Sequence, residues 1–409
     1  MDHPPGSTVA WESDGSGAEV VVKICLLLST FAYDGIKRSV VHFANAMHEM
    51  GHQVWIGVLH DWPGKVSLRS ELRLPDEQVI SWDGLGQGRR EWAIYRFFRK
   101  HAFDVVHANT IKMNHLGRWM AIAAGVPCVV ASEDNLCLNR SWKTRAEDRL
   151  LAHLGHAVVM ISDAVAKSFL EVEKLPPDKV HTVYYGLPIE SFHALRLTPQ
   201  ELEAKRKELG VSSGPTVVCG SRLHFSKSLD TLVQAARIVV DRLPQTQFLL
   251  AGDGEERGTL ESLRDHLQLR DHFHFLGARD DIYDILQLAD VVTLCSLWEG
   301  LGFSLLEGMA FDKPVMGTDV TGINEIIIQD RNGLLVPPQS PARLAEALER
   351  VLTDRALSAR LAGGGREILM ERFDVAQNAK KLIALYETIL FGQHDTDVSH
   401  RKVTDVIRE

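Results

Sequence analysis

The feature that most constrains this chain is an alternation, run through twice, of short and almost wholly apolar segments with amphipathic segments of helix length. In the first series the apolar runs are 20–28, 54–59, 79–82, 105–107, 128–131, 158–161 and 180–185. A strand with one wet face alternates polar and apolar residues. Continuous β-branched runs instead mark strands covered on both faces, as in a parallel sheet. Between the first two runs, "SVVHFANAMHEMG" puts Val40, Val41, Ala44, Met47 and Met50 on one helical face, with Gly51 as the stop. The pattern then restarts with "TVVCGSR", "QFLLAGDG", "FHFLG", "DVVTLCS", "PVMGTDV" and "NGLLVPP". The stretch 187–200, with Pro188 and Pro199, separates the two series and reads as a linker. The expected architecture is α/β: two Rossmann-like doubly wound domains facing each other across a cleft.

With 409 residues, 45% of them hydrophobic, the chain can fill two or three cores. The expected domains are 19–190 and 191–375. A last helix, 376–392, carries an apolar stripe of Val375, Ala379, Leu382, Ile383 and Tyr386 that must dock. The polar tails, 1–18 and 393–409, are expected to be disordered. The net charge of −9 gives no support for a nucleic-acid partner. The five cysteines include no C-x-x-C pair, and Cys25, Cys128, Cys219 and Cys295 lie in strand-like runs. Reduced, buried thiols in a cytoplasmic protein fit this better than disulfides or a zinc site. The N-terminus lacks the basic segment of a secretory signal. The run 20–28 is too short to cross a bilayer, although attachment to the inner face of a membrane stays open.

In open α/β sheets ligands bind at the carboxyl ends of strands, so the chemistry belongs in the post-strand loops. In "GSRLHFSKS", Arg222 ends a strand and Lys227 stands just before a helix. Two cations beside a helix N-terminus make sense with an anion between them; they also read as solvated surface charges. In "EGLGFSLLE", Gly300 and Gly302 permit close backbone approach and Phe303 opens a helix. Glu299 lies before that helix and Glu307 inside it. They read either as two ends of a clamp on hydroxyl-rich groups flanking a diphosphate, or as a cap and a solvated charge. "STFAYDGIKRS" places Gly35 and Arg38 at another strand-to-helix turn. "DVVHANT" puts His107 at a strand end, where a structural role is the more ordinary one. "VVASEDN" follows a buried strand with Glu133, Asp134 and Asn135, candidates for acceptor hydroxyls. Glu325 reads as either structural or ligand-facing, and Asp281 as a helix cap.

These loops, in this order, resemble the retaining GT-B glycosyltransferases of the GT4 type, which carry a "glycosyl transferases group 1" C-terminal domain. The resemblance rests on the E-x7-E segment 299–307, on "GSRLHFSKSLDTLVQAARIV", "FLGARDDIYDILQLADVVTLCS" and "GTDVTGINEIIIQDRNGLLVPPQSPARLAEAL", and spans nearly all the chain between the tails. It implies that Arg222 and Lys227 bind the donor diphosphate and that Glu307 holds the nucleotide ribose. It also implies that Glu299, with Gly300, Leu301, Gly302, Phe303 and Ser304, holds the donor sugar and phosphate. Arg279 would lie near the nucleobase and Gly35 would approach the phosphates. The last helix would cross back onto the N-terminal, acceptor-binding domain. The implied reaction is transfer from a nucleotide sugar, UDP-linked on the family's habits, to a lipid-linked, saccharide or other hydroxyl acceptor in cell-surface polysaccharide or glycoconjugate biosynthesis. The implied route is a front-face one that needs no protein nucleophile, no metal and no cofactor. Asp134 stands where many relatives carry a histidine, and Asp34–Gly35 where a glycine pair is common.

"GRREWAIYRFFRK" interleaves basic and aromatic residues, and "NRSWKTRAEDRLL" is a second basic helix. Both suit an anionic membrane surface or a lipid-diphosphate acceptor, or else an ordinary sheet-covering helix. Two rival classes remain on sequence grounds: a nucleotide-sugar epimerase of the same architecture, and a non-catalytic sugar-nucleotide binder.

Overall fold

A computed structural model describes residues 20–32, 34–61, 67–138 and 140–392. The two tails expected to be disordered lie outside the described residues. The first sheet contains β1 (Lys23–Leu28), β2 (Gln53–Val58), β3 (Val79–Ser81), β4 (Val105–Asn109), β5 (Cys128–Glu133), β6 (Ala157–Met160) and β7 (Val180–Thr182), ordered β3-β2-β1-β4-β5-β6-β7. The second contains β8 (Thr216–Gly220), β9 (Gln247–Ala251), β10 (Phe273–Gly277), β11 (Val291–Leu294), β12 (Val315–Thr318) and β13 (Gly333–Val336), ordered β10-β9-β8-β11-β12-β13. Every strand pairing is parallel. The fold is GT-B. In each sheet the order reverses beside the first strand, between β1 and β4 and between β8 and β11, which opens a crevice at the carboxyl ends.

The unbroken apolar runs are buried as their composition requires: β4 and β5 have no exposed residue, and neither have β11 and β12. Two boundaries differ from the sequence expectation. β5 extends to Glu133, whose Cα pairs with Met160, because the parallel ladder to β6 continues past the last apolar residue. β7 stops at Thr182, where its pairing with β6 ends.

The chain crosses between the domains twice, and the two crossings run side by side. Leu187 N–H donates to the Phe373 carbonyl (2.9 Å), and Val375 N–H donates to Leu187 (3.1 Å). Gly186 is needed there, since a Cβ would lie 2.3 Å from the Phe373 carbonyl oxygen. The second crossing leads into the helix Val375–Phe391, capped by the Asp374 carboxylate on Gln377 N–H. Its apolar stripe docks on the helix Gly35–Glu49 and on β5, in the first domain. The tie is specific: the Tyr386 hydroxyl lies 2.6 Å from His107 Nδ1.

On the hinge side, Glu325 of the second domain accepts from the N–H groups of Asp163 (2.8 Å) and Ala164 (2.6 Å), and from the Tyr184 hydroxyl (2.7 Å). Glu325 is therefore a structural clasp. Asp281 occupies a helix N-cap position, but its carboxylate bonds Arg279 and Lys205 in place of the capping N–H groups. All five cysteines are buried and unpaired with one another. Among the described residues, no helix is long and apolar enough to cross a membrane.

Candidate active site

Between the carboxyl ends of the two sheets lies a cleft of about 820 Å³. Thirteen of the residues singled out in the sequence line it: Gly35, Asp134, Asn135, Arg222, Lys227, Arg279, Glu299, Gly300, Leu301, Gly302, Phe303, Ser304 and Glu307. They come from the loops after β1, β5, β8, β10 and β11, with the start of the helix that follows β11.

Lys227 ends a short turn, Phe225–Lys227, ahead of the helix Leu229–Arg242. Its ammonium lies 2.6 and 2.7 Å from the two carboxylate oxygens of Glu299. Ser296 donates its hydroxyl to the same carboxylate at 2.5 Å. Both charged residues are largely shielded from water, which strengthens the pair relative to a surface ion pair. Arg222 stands at the mouth with its side chain 66% exposed, and Glu255 is 3.9 Å away. Arg279 lines the rim but is drawn to Asp281 and Glu208.

The helix Phe303–Ala310 begins at Gly302. Ser304 has a buried hydroxyl without a hydrogen-bond partner among the described residues, at the start of this helix, where N–H groups also point outward. Glu307 is buried one turn in, and desolvation pushes its carboxyl up to about 7. The glycines have packing reasons as well. A Cβ on Gly300 would lie 2.3 Å from the Asp134 carbonyl oxygen, so only glycine lets this loop touch the first domain. The Gly300 carbonyl also accepts from Ser162 at 2.6 Å. A Cβ on Gly302 would instead meet Leu294, Leu305 and Ile326, on the apolar side. Gly35 opens its helix against the ring of Phe303, with 3.1 Å from a notional Cβ to the ring edge.

Two acceptor candidates do not reach the cleft. His107 is buried between the Tyr386 hydroxyl and the Ser132 hydroxyl (2.7 Å), and burial pushes its imidazole down to about 3. It is a neutral structural histidine and does not replace the family's usual imidazole. Glu133, inside β5, turns away to Arg140 (2.6 Å) and Asn114 (3.0 Å). Asp134 and Asn135 remain at the cleft. Asn135 donates to Asp134 at 2.6 Å, and burial, with Glu133 and Asp34 nearby, pushes Asp134 up to about 7.

Sequence reading had marked Arg38 only as a cation near a helix start, yet it lines the cleft. The aromatic pair Phe225–Trp298, with ring centroids 5.4 Å apart, was missed altogether. Its one sequence signal is that each ring stands next to or near a charged site residue. Among the described residues, no group of three or more His, Cys, Asp or Glu side chains is placed to hold a metal ion.

The family model for glycosyl transferases group 1 matches residues 201–368, and that for the glycosyl transferase 4-like domain matches 34–186. Between them the two models take in both domains and every cleft loop. The chain belongs to the GT4-type glycosyltransferases. This glycosyltransferase is 28% identical over 286 residues to alpha-D-kanosaminyltransferase of Streptomyces kanamyceticus, covering 66% of this chain and 72% of that one. It is 25% identical over 303 residues to an Escherichia coli UDP-Gal:alpha-D-GlcNAc-diphosphoundecaprenol alpha-1,3-galactosyltransferase, covering 72% and 78%. Among solved structures it resembles Anabaena HepE in complex with UDP and glucose, with a TM-score of 0.79 at 21% identity, over 90% of this chain and all of that one. WaaG, a glycosyltransferase involved in lipopolysaccharide biosynthesis, superposes with a TM-score of 0.66 at 19% identity.

Proposed function

We propose that this glycosyltransferase moves a sugar from a nucleotide sugar, UDP-linked, to a hydroxyl of a lipid-linked or saccharide acceptor, with retention at the anomeric carbon, in the building of a cell-surface polysaccharide or glycoconjugate. The observation that carries the reading is the convergence in one interdomain cleft of Arg222, the Lys227–Glu299 pair, the start of the helix Phe303–Ala310 and buried Glu307.

The bond from the anomeric carbon to the diphosphate breaks, and the acceptor oxygen bonds to the same face. The acceptor proton passes to the departing diphosphate, so no protein nucleophile is needed. The charge that develops on the diphosphate is met by Arg222, Lys227 and the free N–H groups and Ser304 hydroxyl at the helix start. Donors fixed in place before the reaction stabilise such charge without reorganising. We assign this work to the protein itself, with no metal or cofactor. Glu299, held by Lys227 and Ser296, takes the sugar hydroxyls; Glu307 takes the ribose; Arg279 borders the base; Gly35 admits the phosphates from the opposite side. Asp134 and Asn135 face the acceptor.

Exposed Trp92 and Trp142 (58% and 75% exposed) stand on the two basic helices of the first domain, Arg89–His101 and Trp142–Leu154. They support a peripheral position on the cytoplasmic face of a membrane, where a lipid-linked acceptor would be presented. The experiment is transfer from a panel of UDP- and GDP-sugars to polyprenyl-linked and free saccharides, with the product anomer read by NMR. An inverted product sinks the retaining mechanism. Equal use of GDP-sugars sinks the UDP assignment. Failure to sediment with anionic liposomes at low salt sinks the membrane reading.

A further inference from the structure

At the Glu307 end of the cleft is a four-residue assembly, two residues from each domain, to which the proposal above gives no part beyond Glu307. Arg38 belongs to the helix Gly35–Glu49 and lines the cleft. Its Nε donates to Glu71 at 2.8 Å. The same guanidinium lies over the ring of Tyr283 at 4.1 Å from the centroid, in the helix Ile282–Gln287 of the opposite domain. Glu71 fixes the plane of the guanidinium, and a fixed plane can stack on a ring at low entropic cost.

Glu307 sits in the middle of this assembly. Burial raises its carboxyl, the charge of Arg38 pulls it back, the charge of Glu71 pushes it up, and the Tyr283 hydroxyl favours ionisation. His42 faces Glu71 at 3.9 Å, but burial pushes its imidazole down to about 3 and keeps it neutral. Arg38 is thus the cation among the groups that act on Glu307, and it comes from the other domain. A carboxylate can accept two vicinal hydroxyls at once, whereas a carboxylic acid gives up part of that capacity.

We propose that Arg38 is a positioning residue for the donor nucleotide, acting through Glu307 and Tyr283, so that the ribose end of the site is complete only when the first domain is closed against the second. This rests on the reading of Glu307 as the ribose ligand. Arg38 need not touch the nucleotide. Its contribution is electrostatic and cross-domain, and Glu71 opposes it in sign.

The test is UDP binding by calorimetry, across a pH series spanning the neutral range, for wild type, R38Q, R38K, E71Q and E307Q. Wild-type affinity should climb with pH and level off as Glu307 ionises. In R38Q the climb should move to higher pH, weakening binding below it by about tenfold per pH unit of displacement. In E71Q it should move to lower pH. R38K, which keeps the charge, should stay close to wild type in the position of the climb. A merely structural role would move R38Q and E71Q in the same direction or not at all; that result, with E307Q still weakened and pH-independent, overturns the role of Arg38 and leaves the ribose reading standing. If E307Q binds UDP as wild type does, the ribose reading fails, and this inference with it. Should R38Q not fold, the opposed E71Q shift and the R38K position decide the matter.

Discussion

The ammonium of Lys227 bridges both carboxylate oxygens of Glu299, at 2.6 and 2.7 Å, across 72 residues of sequence. The pair joins the loop after β8 to the loop after β11, the two strands that flank the reversal in the second sheet. Each group holds the other where a donor would meet both. Replacing Lys227 by Ala should lower turnover by about 10²–10³-fold, as for loss of one preorganised charge donor. Because Glu299 then loses its orienting cation, K227A/E299A should be little worse than K227A alone. A double-variant cycle on initial rates checks this, and full additivity would show that the two act independently.

Gly300 is where the donor loop touches the first domain. In G300A the new methyl would lie 2.3 Å from the Asp134 carbonyl oxygen, which is backbone and cannot step aside. The domains must then separate at this point. Expected are a raised KM for the donor sugar and a stability loss of about 1–3 kcal/mol, typical of overpacking. Steady-state kinetics with thermal melting measures both; an unchanged KM would argue against closure at this contact.

Glu307 should give stability a particular pH dependence. Its folded-state pKa is raised from 4.5 to about 7. The contribution is therefore complete below the ordinary value and is lost as pH rises through about 7. E307Q, which never ionises, should gain on wild type across that window by up to roughly 3 kcal/mol. Thermal midpoints of both proteins at acidic and alkaline ends of the window test the sign. A constant difference, or one that grows towards acid, would contradict it.

His107 and Tyr386 tie the last helix to the first sheet from positions 279 apart. Y386F should cost about 1–3 kcal/mol by leaving a buried ring nitrogen unpaired. Turnover per folded molecule should stay at the wild-type level, because neither residue faces the cleft. A selective loss of kcat at full stability would restore a chemical role to His107.

Glu325 holds two N–H groups and a hydroxyl of the opposite domain. E325A should lower the melting midpoint, with a loss of about 2–4 kcal/mol from three broken charge-assisted bonds. Limited proteolysis between 187 and 200 should become faster, and an unaltered digestion rate would mean that the clasp does not hold the hinge side shut.

Much of the fold was legible because a buried parallel strand leaves a local signature. The runs around Val105, Cys128, Val158 and Val291 have no polar face to show, and all became central strands. The phosphate-type loops were legible for a similar reason: glycine and cation at a strand-to-helix turn is a short-range pattern. The acidic stretch at 133–135 was not. One more ladder pair places Glu133 inside β5 facing Arg140, while Asp134, one residue on, reaches the cleft. Sequence spacing cannot say where a ladder stops.

The sequence by itself determined two doubly wound halves, the loops at their carboxyl ends and the membership of the chain in its family, since these follow from periodicity and from short motifs read in order. Only the tertiary structure decided that Lys227 meets Glu299, that His107 belongs to the last helix and that Gly300 is glycine for the sake of Asp134. It also placed Arg38 opposite Glu307. Those pairings depend on contacts through space and on water removed from charged groups, and neither is written in any local stretch of residues.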